Sequence, residues 1–273
     1  MDDRPPEEEP EPDAPELEDP GYIPPDPDEP PPVELWSAVG DVLPWGTMLM
    51  LLSWAALFAL LTIRREIGDT AAYGAWGGSI AQRDLLDSSW RLLASTFLHG
   101  GAAHVFFNAT SMLIFGPTVE RIFTRWGFWI VYAFGGAAAS FASIAWRLAR
   151  HGAGPSISVG ASGAIFALGG ALLVGSWRLR HRLAVGRARA MGAALLFLIV
   201  QSLAAGFTEH GTDNAAHAGG LLAGALLAGV VPLSIRLGGA PAGFVIRLLG
   251  VIGVLALVVS LAFGVHGGLA GAR

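Results

Sequence analysis

Apolar residues in this chain collect in long uncharged runs instead of alternating or tracing a narrow helical stripe. Seven runs are separated by connectors that carry charge or a Gly/Pro break. They are Val42 to Ile63, Ala102 to about Val119, Trp126 to Trp146, Ser162 to Trp177, Ala190 to Phe207, Asn214 to Val231, and about Phe244 to Val265. About 20 apolar residues cross a hydrocarbon core roughly 30 Å thick, so each run predicts a membrane-spanning helix. The expected fold class is all-α, a polytopic transmembrane helix bundle. The connector from Ile67 to about Gly101 differs from the rest. Trp76, Trp90 and the leucine/charge alternation around Arg83-Asp84-Leu85-Leu86-Asp87 predict an amphipathic segment at the interface, with tryptophan at headgroup level.

The fourth run is short. Sixteen residues from Ser162 to Trp177 rise about 24 Å, less than the membrane core, so this helix is expected to begin below the surface. Non-helical backbone at that depth is tolerated where protein buries it or water reaches it, and the broken loop His151 to Ser156 precedes it. At this start stands Gly160-Ala161-Ser162-Gly163, a serine between glycines. In a chain with 37 glycines the pattern is weak by itself, and its weight comes from position.

Even-numbered spans run in one direction. His104 and Asn108 open the second, Ser162 opens the fourth, and His217 lies one turn into the sixth, so all four fall near one membrane face. Polar and ionisable groups at such depth are costly and point to function. Small residues recur every four positions on span four (Gly163, Ala167, Ala171, Gly175) and span six (Ala216, Gly220, Gly224, Ala228). Matching stripes of this kind let helix backbones approach closely, which would bring Ser162 and His217 within hydrogen-bonding reach.

Composition agrees: 53% hydrophobic residues, 14% charged and a mean hydropathy of +0.53 exclude a soluble globular enzyme. The net charge of -5 hides two halves. Fourteen acids precede residue 35 with Arg4 as their sole cation, and the remainder carries eight acids against sixteen arginines. Residues 1–35, acidic and proline-rich, are expected to be a disordered tail and not a secretory signal. With no cysteine, disulfides, thiolate metal sites and a cysteine nucleophile are excluded. Every cation is arginine, which fits a GC-rich genome and an expected bacterial plasma membrane. The connector loops on the N-terminal side hold nine arginines against seven opposite, five of the nine between Arg178 and Arg189. The positive-inside rule then makes the N-terminus cytoplasmic and turns Ser162 toward the outer face.

Chemically, a serine hydroxyl becomes a nucleophile when a base takes its proton, and a neutral imidazole at His217 suits that task near pH 7. Attack on a peptide carbonyl builds negative charge on oxygen, toward which the first N–H groups of span four and their dipole point. Asn108, one turn after His104, can add an amide donor. His99 is expected to fasten the loop before span two, and Glu120 with Arg121 and Arg125 to form a solvated helix end. His151, His181, His210 and His266 receive no role.

From about Thr47 to the end of span six the chain resembles the rhomboid family of intramembrane serine proteases. The resemblance is carried by Trp90-Arg91, His104-Val105-Phe106-Phe107-Asn108, Gly160-Ala161-Ser162-Gly163, and Ala216-His217-x-x-Gly220-x-x-x-Gly224, in this order and spacing. It implies a six-helix core with one added C-terminal helix, so residues 36–235 are the expected catalytic core and 236–273 a connector and seventh helix. It implies a Ser162–His217 dyad without a triad aspartate, supported by an oxyanion site at His104, Asn108 and Gly160, and by Phe166 packed on the His217 ring. The expected activity is endoproteolysis of single-span membrane proteins near the outer boundary, without metal or cofactor. Its partners are transmembrane substrates and the bilayer, not nucleic acid; the oligomeric state stays open. One departure is Thr124, where the family's Gly-x-x-x-Glu-x-x-x-Gly would place its second glycine after Gly116 and Glu120. Two other classes stay open: a catalytically inactive rhomboid-like binding or scaffold protein, which would not label with a serine probe, and a transporter or channel, which would show an internal repeat that the span pattern lacks.

Overall fold

A computed structural model describes residues 43–81, 87–151, 154–180, 212–234 and 242–271, with a few positions between 192 and 200. In order the elements are α1 (Trp45–Ile63), α2 (Thr70–Ala75), β1 (Ser79–Ala81) and α3 (Arg91–Ala94), which runs into a 3-10 turn (Ser95–Phe97). Then come α4 (Ala102–His151), β2 (Gly154–Ser158), α5 (Ser162–Arg178), α6 (Asn214–Val230) and α7 (Phe244–Ala270). The fold is an all-α membrane bundle. Helices α1, α4 and α7 are each long and apolar enough to cross a bilayer by length and composition. The expected fifth span, 190–207, lies outside the described residues except at positions 192, 193, 196 and 200, and the tail, 1–35, lies outside them altogether.

The second and third expected spans are the two halves of α4. Thr124 stands inside it with φ 68 and ψ 165, a non-helical joint between the halves. His104 near the start and Ser143 near the end line one cavity, so the chain doubles back there. This backbone region is almost reserved for glycine, so the departure from the family pattern carries a steric cost.

In its most apolar stretch α4 is 61% buried, against 33% for α1 and 28% for α7. Of these three the long helix therefore lies deepest in the bundle and the other two are peripheral, while α5 is buried at 12 of its 17 residues. Exposed Leu52 on α1 and Val258 on α7 belong to the face that lipid covers.

Glu120 is not the solvated helix end that its neighbours Arg121 and Arg125 suggest. Its carboxylate accepts from the backbone N–H of Gly46 (3.1 Å) and Thr47 (2.8 Å) and from Thr47 Oγ1 (2.7 Å). Pro44, at the N-cap of α1, brings no side-chain bond, so a carboxylate from another helix satisfies the orphan donors and faces the positive end of the dipole. At the other end of α1, Glu66 accepts from Arg64 (2.9 Å) and Trp76 Nε1 (2.7 Å), tying α1 to α2. The Arg64 bond holds the Glu66 carboxyl below its usual range.

The connector expected at the interface is knitted by two of the residues singled out in it, Trp90 and Arg91, whereas positions 82–86 lie outside the described residues. Arg91 donates to the carbonyls of Gly74 and Gly78, and Trp90 stacks on Phe263 of α7 with ring centroids 5.9 Å apart. Where a broken loop is expected, Gly154–Ser158 instead forms a strand antiparallel to β1, with Ile80 opposite Ile157 and Ser79 opposite Ser158. Arg147, at the end of α4, donates to the carbonyls of both Ser79 (3.2 Å) and Ser156 (2.7 Å), clamping the two strands to the bundle.

Helices α5 and α6 meet along their small residues. A Cβ on Gly220 would land on the Gly163 carbonyl, one on Gly224 on the Ala167 carbonyl, and one on Gly170 on the Leu221 carbonyl. Arg178 closes the far end of this seam by donating to the carbonyls of Ala228 and Val231.

Candidate active site

Helix α5 begins at Ser162, and no side chain caps its first N–H groups. The half-buried hydroxyl of Ser162 therefore sits beside several backbone donors at the positive end of a helix. From the first turn of α6, His217 reaches across the seam until its Nε2 is 2.8 Å from Ser162 Oγ. Phe166, one turn after the serine, stacks on the imidazole with centroids 4.2 Å apart and planes 6° from parallel. The ring is buried, and its Nδ1 has no hydrogen-bond partner among the described residues. The tautomer that accepts the serine proton at Nε2 carries its own hydrogen at that Nδ1.

Opposite lies the first half of α4. His104 Nδ1 accepts from the Gly100 N–H (3.3 Å), which leaves Nε2 as the donor of the neutral ring. Gly160 has φ +133, and a Cβ there would stand 2.7 Å from His104 Nε2 and 3.9 Å from Asn108 Nδ2. Glycine is thus required twice over at this position, for its backbone and for its lack of a side chain. Its N–H donates to the Ser95 carbonyl (3.0 Å), which fixes the turn into α5. Asn108 is buried, and its Nδ2 has no partner among the described residues. An unspent donor in an enclosed site is costly to keep, and so it is a functional pointer.

A cavity of about 1330 Å³ opens on these groups, with His104, Asn108, Gly160, Ser162 and His217 in its lining. All six residues singled out from the sequence thus converge: His217 in contact with both Ser162 and Phe166, and His104, Asn108 and Gly160 around the same cavity. Among the described residues no cluster of His, Cys, Asp or Glu has the makings of a metal site.

His99 is buried edge-on between Trp54 and His104, at 5.3 Å from each ring, and its carbonyl accepts from Tyr73 OH (3.0 Å). Burial pushes its pKa down to about 3, so it packs as a neutral ring.

A family model for the Rhomboid domain matches residues 87–234, a stretch that contains His104, Asn108, Gly160, Ser162, Phe166 and His217. The chain belongs to the rhomboid family. Among its relatives are Rhomboid protease GluP of Bacillus subtilis (strain 168), 32% identical over 224 residues, covering 82% of this chain and 41% of the relative. RHOMBOID-like protein 5 of Arabidopsis thaliana is 34% identical over 147 residues, covering 53% of this chain and 44% of the relative. Rhomboid protease AarA of Providencia stuartii is 28% identical over 167 residues, covering 56% and 59%. This rhomboid therefore spans about two fifths to three fifths of the length of these three relatives.

This rhomboid also holds a polar group on the cavity wall that the sequence reading passed over. Asp213 accepts from Ser143 Oγ, from Ser158 Oγ (2.8 Å) and from the Ala216 N–H (3.0 Å). An aspartate just before an apolar run is a cap signal, and it could have been read as one. Its serine partners, 70 and 55 residues distant, leave no local trace.

Proposed function

We propose that this rhomboid is an intramembrane serine endopeptidase that cleaves transmembrane segments of single-span membrane proteins. The observation that carries the reading is the 2.8 Å approach of His217 Nε2 to Ser162 Oγ at the uncapped start of a helix, on the wall of a cavity. His217 takes the hydroxyl proton as Oγ attacks the scissile carbonyl. The tetrahedral oxyanion that forms is held by the first N–H groups of α5, with Asn108 Nδ2 and His104 Nε2 as further donors; one such donor is typically worth about 100- to 1000-fold in kcat. The imidazolium then gives its proton to the leaving amine, and the C–N bond breaks to leave an acyl-serine. Water, deprotonated by the same imidazole, hydrolyses that ester and restores the hydroxyl.

The names of two relatives, Rhomboid protease GluP and Rhomboid protease AarA, support this activity. The arginines between Arg178 and Arg189 support a cytoplasmic N-terminus in a bacterial plasma membrane, with the cavity mouth outward. Cleavage then falls near the outer boundary of the substrate helix. That helix must unwind locally to offer an extended carbonyl, which favours substrates with Gly, Ser or Pro close to the cut.

The test is co-expression with a panel of tagged single-span proteins, comparing wild type with Ser162→Ala and His217→Ala, together with labelling by a fluorophosphonate. Wild type is expected to release a fragment and to take up the probe at Ser162, and both variants are expected to do neither. Cleavage that persists in Ser162→Ala overturns the reading; absence of both cleavage and labelling in wild type favours a scaffold.

A further inference from the structure

Asp213 sits one turn before the imidazole that serves as base in the function proposed above, yet its carboxylate is spent elsewhere. Oδ1 accepts from the Ala216 N–H at 3.0 Å and caps α6. Oδ2 accepts from Ser143 Oγ on the second half of α4 and from Ser158 Oγ, at 2.8 Å, on β2. Its carbonyl accepts the N–H of His217 itself at 3.1 Å. Ser143 Oγ in turn accepts from Arg147 Nε at 3.2 Å, and the same guanidinium clamps the carbonyls of Ser79 and Ser156.

One carboxylate thus joins three elements. Strand β2 leads through Val159 and Gly160 to Ser162, α6 carries His217, and α4 backs both. The first turn of a helix is where orphan N–H groups and fraying concentrate, so an imidazole placed there needs an external hold. His217 Nδ1 has no hydrogen-bond partner among the described residues, and besides Ser162 the ring touches Phe166 by stacking. Hydrogen bonds to an ionised carboxylate are about twice as strong as neutral ones, which suits Asp213 for that hold.

We propose that Asp213 is a positioning residue: by bonding Ser143, Ser158 and the first turn of α6 together, it sets the distance between His217 and Ser162. The charged and titratable groups around it are Arg147, reached through Ser143, the imidazole of His217 itself, and His104 across the cavity. Arg147 lies two hydrogen bonds from the carboxylate and the His217 imidazole is within reach of its charge, so the tether assigned to Asp213 is separated from a counter-ion by the asparagine variant below. It rests on the protease reading above.

The experiment uses the full chain in liposomes with a tagged single-span substrate. It measures kcat and KM separately, the rate of fluorophosphonate labelling at Ser162, and the melting midpoint, all kinetics well below that midpoint. Misplacing reacting groups by about 1 Å costs on the order of 100-fold, so Asp213→Ala is expected to lower kcat and labelling about 10- to 100-fold. KM should stay within about twofold, because the loss is confined to the chemical step. Asp213→Asn is expected to recover kcat to within about threefold of wild type, since asparagine caps a helix as well as aspartate and its amide bonds serine hydroxyls. The double variant Ser143→Ala/Ser158→Ala keeps the cap and the charge, and is expected to lose kcat about tenfold. A folded Asp213→Ala protein with wild-type kcat overturns the proposal, and so does Asp213→Asn as slow as Asp213→Ala, which would mark a counter-ion. Should Asp213→Ala fail to fold, the double serine variant decides in its place, wild-type kcat there being the refuting result. Cleavage surviving in Ser162→Ala removes the protease reading and this inference with it. Its loss there, beside unaltered kcat in the tether variants, removes this inference alone.

Discussion

Two helix seams in this rhomboid carry the same sequence signature and are built differently. Between α5 and α6, the place of each missing side chain is taken by backbone: the Gly163 and Ala167 carbonyls fill the space over Gly220 and Gly224, and the Leu221 carbonyl that over Gly170. Helix α7 also buries small residues, among them Gly250, Gly253 and Gly264. There the nearest atoms to Gly250 and Gly268 belong to the side chains of Trp126 and Trp76, and the carbonyls that press on Gly253, Gly264 and Gly267 would lie 3.0, 2.5 and 2.6 Å from a Cβ, against 1.9 to 2.1 Å in the first seam. A backbone against a backbone has nothing to rotate away, whereas a side chain can shift. The rigid seam is the one that holds Ser162 and His217 at 2.8 Å. Close approach without compliance is what the proposed dyad, split over two helices, requires, because there the helix separation sets the distance from imidazole to hydroxyl.

Matched glycine-to-alanine changes test this directly. Gly224→Ala drives a Cβ onto the Ala167 carbonyl and must part the two helices. Overpacking of this kind costs about 3 kcal/mol at the upper end of the usual range. A separation near 1 Å also removes on the order of 100-fold of the Ser162 reactivity. Both should appear together, as a lowered melting midpoint in detergent and as slow fluorophosphonate labelling of the fraction still folded. A Gly224→Ala protein that labels like wild type would mean that the seam does not set the dyad distance.

Glu120→Ala comes next and should split those two readouts. It strips the acceptor from the Gly46 and Thr47 N–H groups and from Thr47 Oγ1 at the start of α1. Losing a half-buried charged acceptor and leaving the buried N–H groups of Gly46 and Thr47 unpaired costs about 2 kcal/mol. Glu120 lies sixteen residues beyond His104, about 24 Å along the helix. The melting midpoint should therefore fall while labelling of Ser162 stays near wild type, the opposite coupling to that of Gly224→Ala.

Much of this arrangement was legible in the sequence, for reasons specific to each part. The runs Ser162 to Trp177 and Asn214 to Val231 coincide with α5 (Ser162–Arg178) and α6 (Asn214–Val230) to within a residue, because length and lack of charge are local properties. Span parity and the paired stripes brought His104, Asn108, Ser162 and His217 to one face, which topology alone can do. Long-range polar contacts were not legible. Glu120 reads as solvated beside Arg121 and Arg125, and nothing local ties it to Thr47, 73 residues away. Strand β2 hides behind Gly154 and Pro155, which signal a break when their partner strand is unknown. A stripe of small residues announces a close neighbour without naming it, which is why the partners of α7 could not be read.

Thr124→Gly acts at the joint between the half of α4 that bears His104 and the half on which α7 lies. A β-branched residue at φ 68 and ψ 165 stores about 1–3 kcal/mol, which glycine would release. Glycine also raises the entropy of the unfolded chain, so the net gain expected is about 1 kcal/mol. It should be read as a higher melting midpoint with unaltered labelling of Ser162. A lower midpoint would mean that the threonine side chain contributes more than its backbone costs; its Oγ1, 3.4 Å from the Gly127 N–H, is the contact at stake.

Gly250→Ala should do least, and its smallness is the point. The new Cβ would stand 2.8 Å from the Trp126 ring and 3.1 Å from Trp126 Cβ and carbonyl, so the ring must shift and the Trp126 backbone must give by a few tenths of an ångström. Against that, alanine in a helix interior is favoured over glycine by about 1 kcal/mol. The two terms nearly cancel, and a change in midpoint close to zero is expected beside the collapse at Gly224. If Gly250→Ala proves as damaging as Gly224→Ala, then α7 is held as rigidly as α6, and compliance is not what separates the seam that holds the dyad from the one that does not.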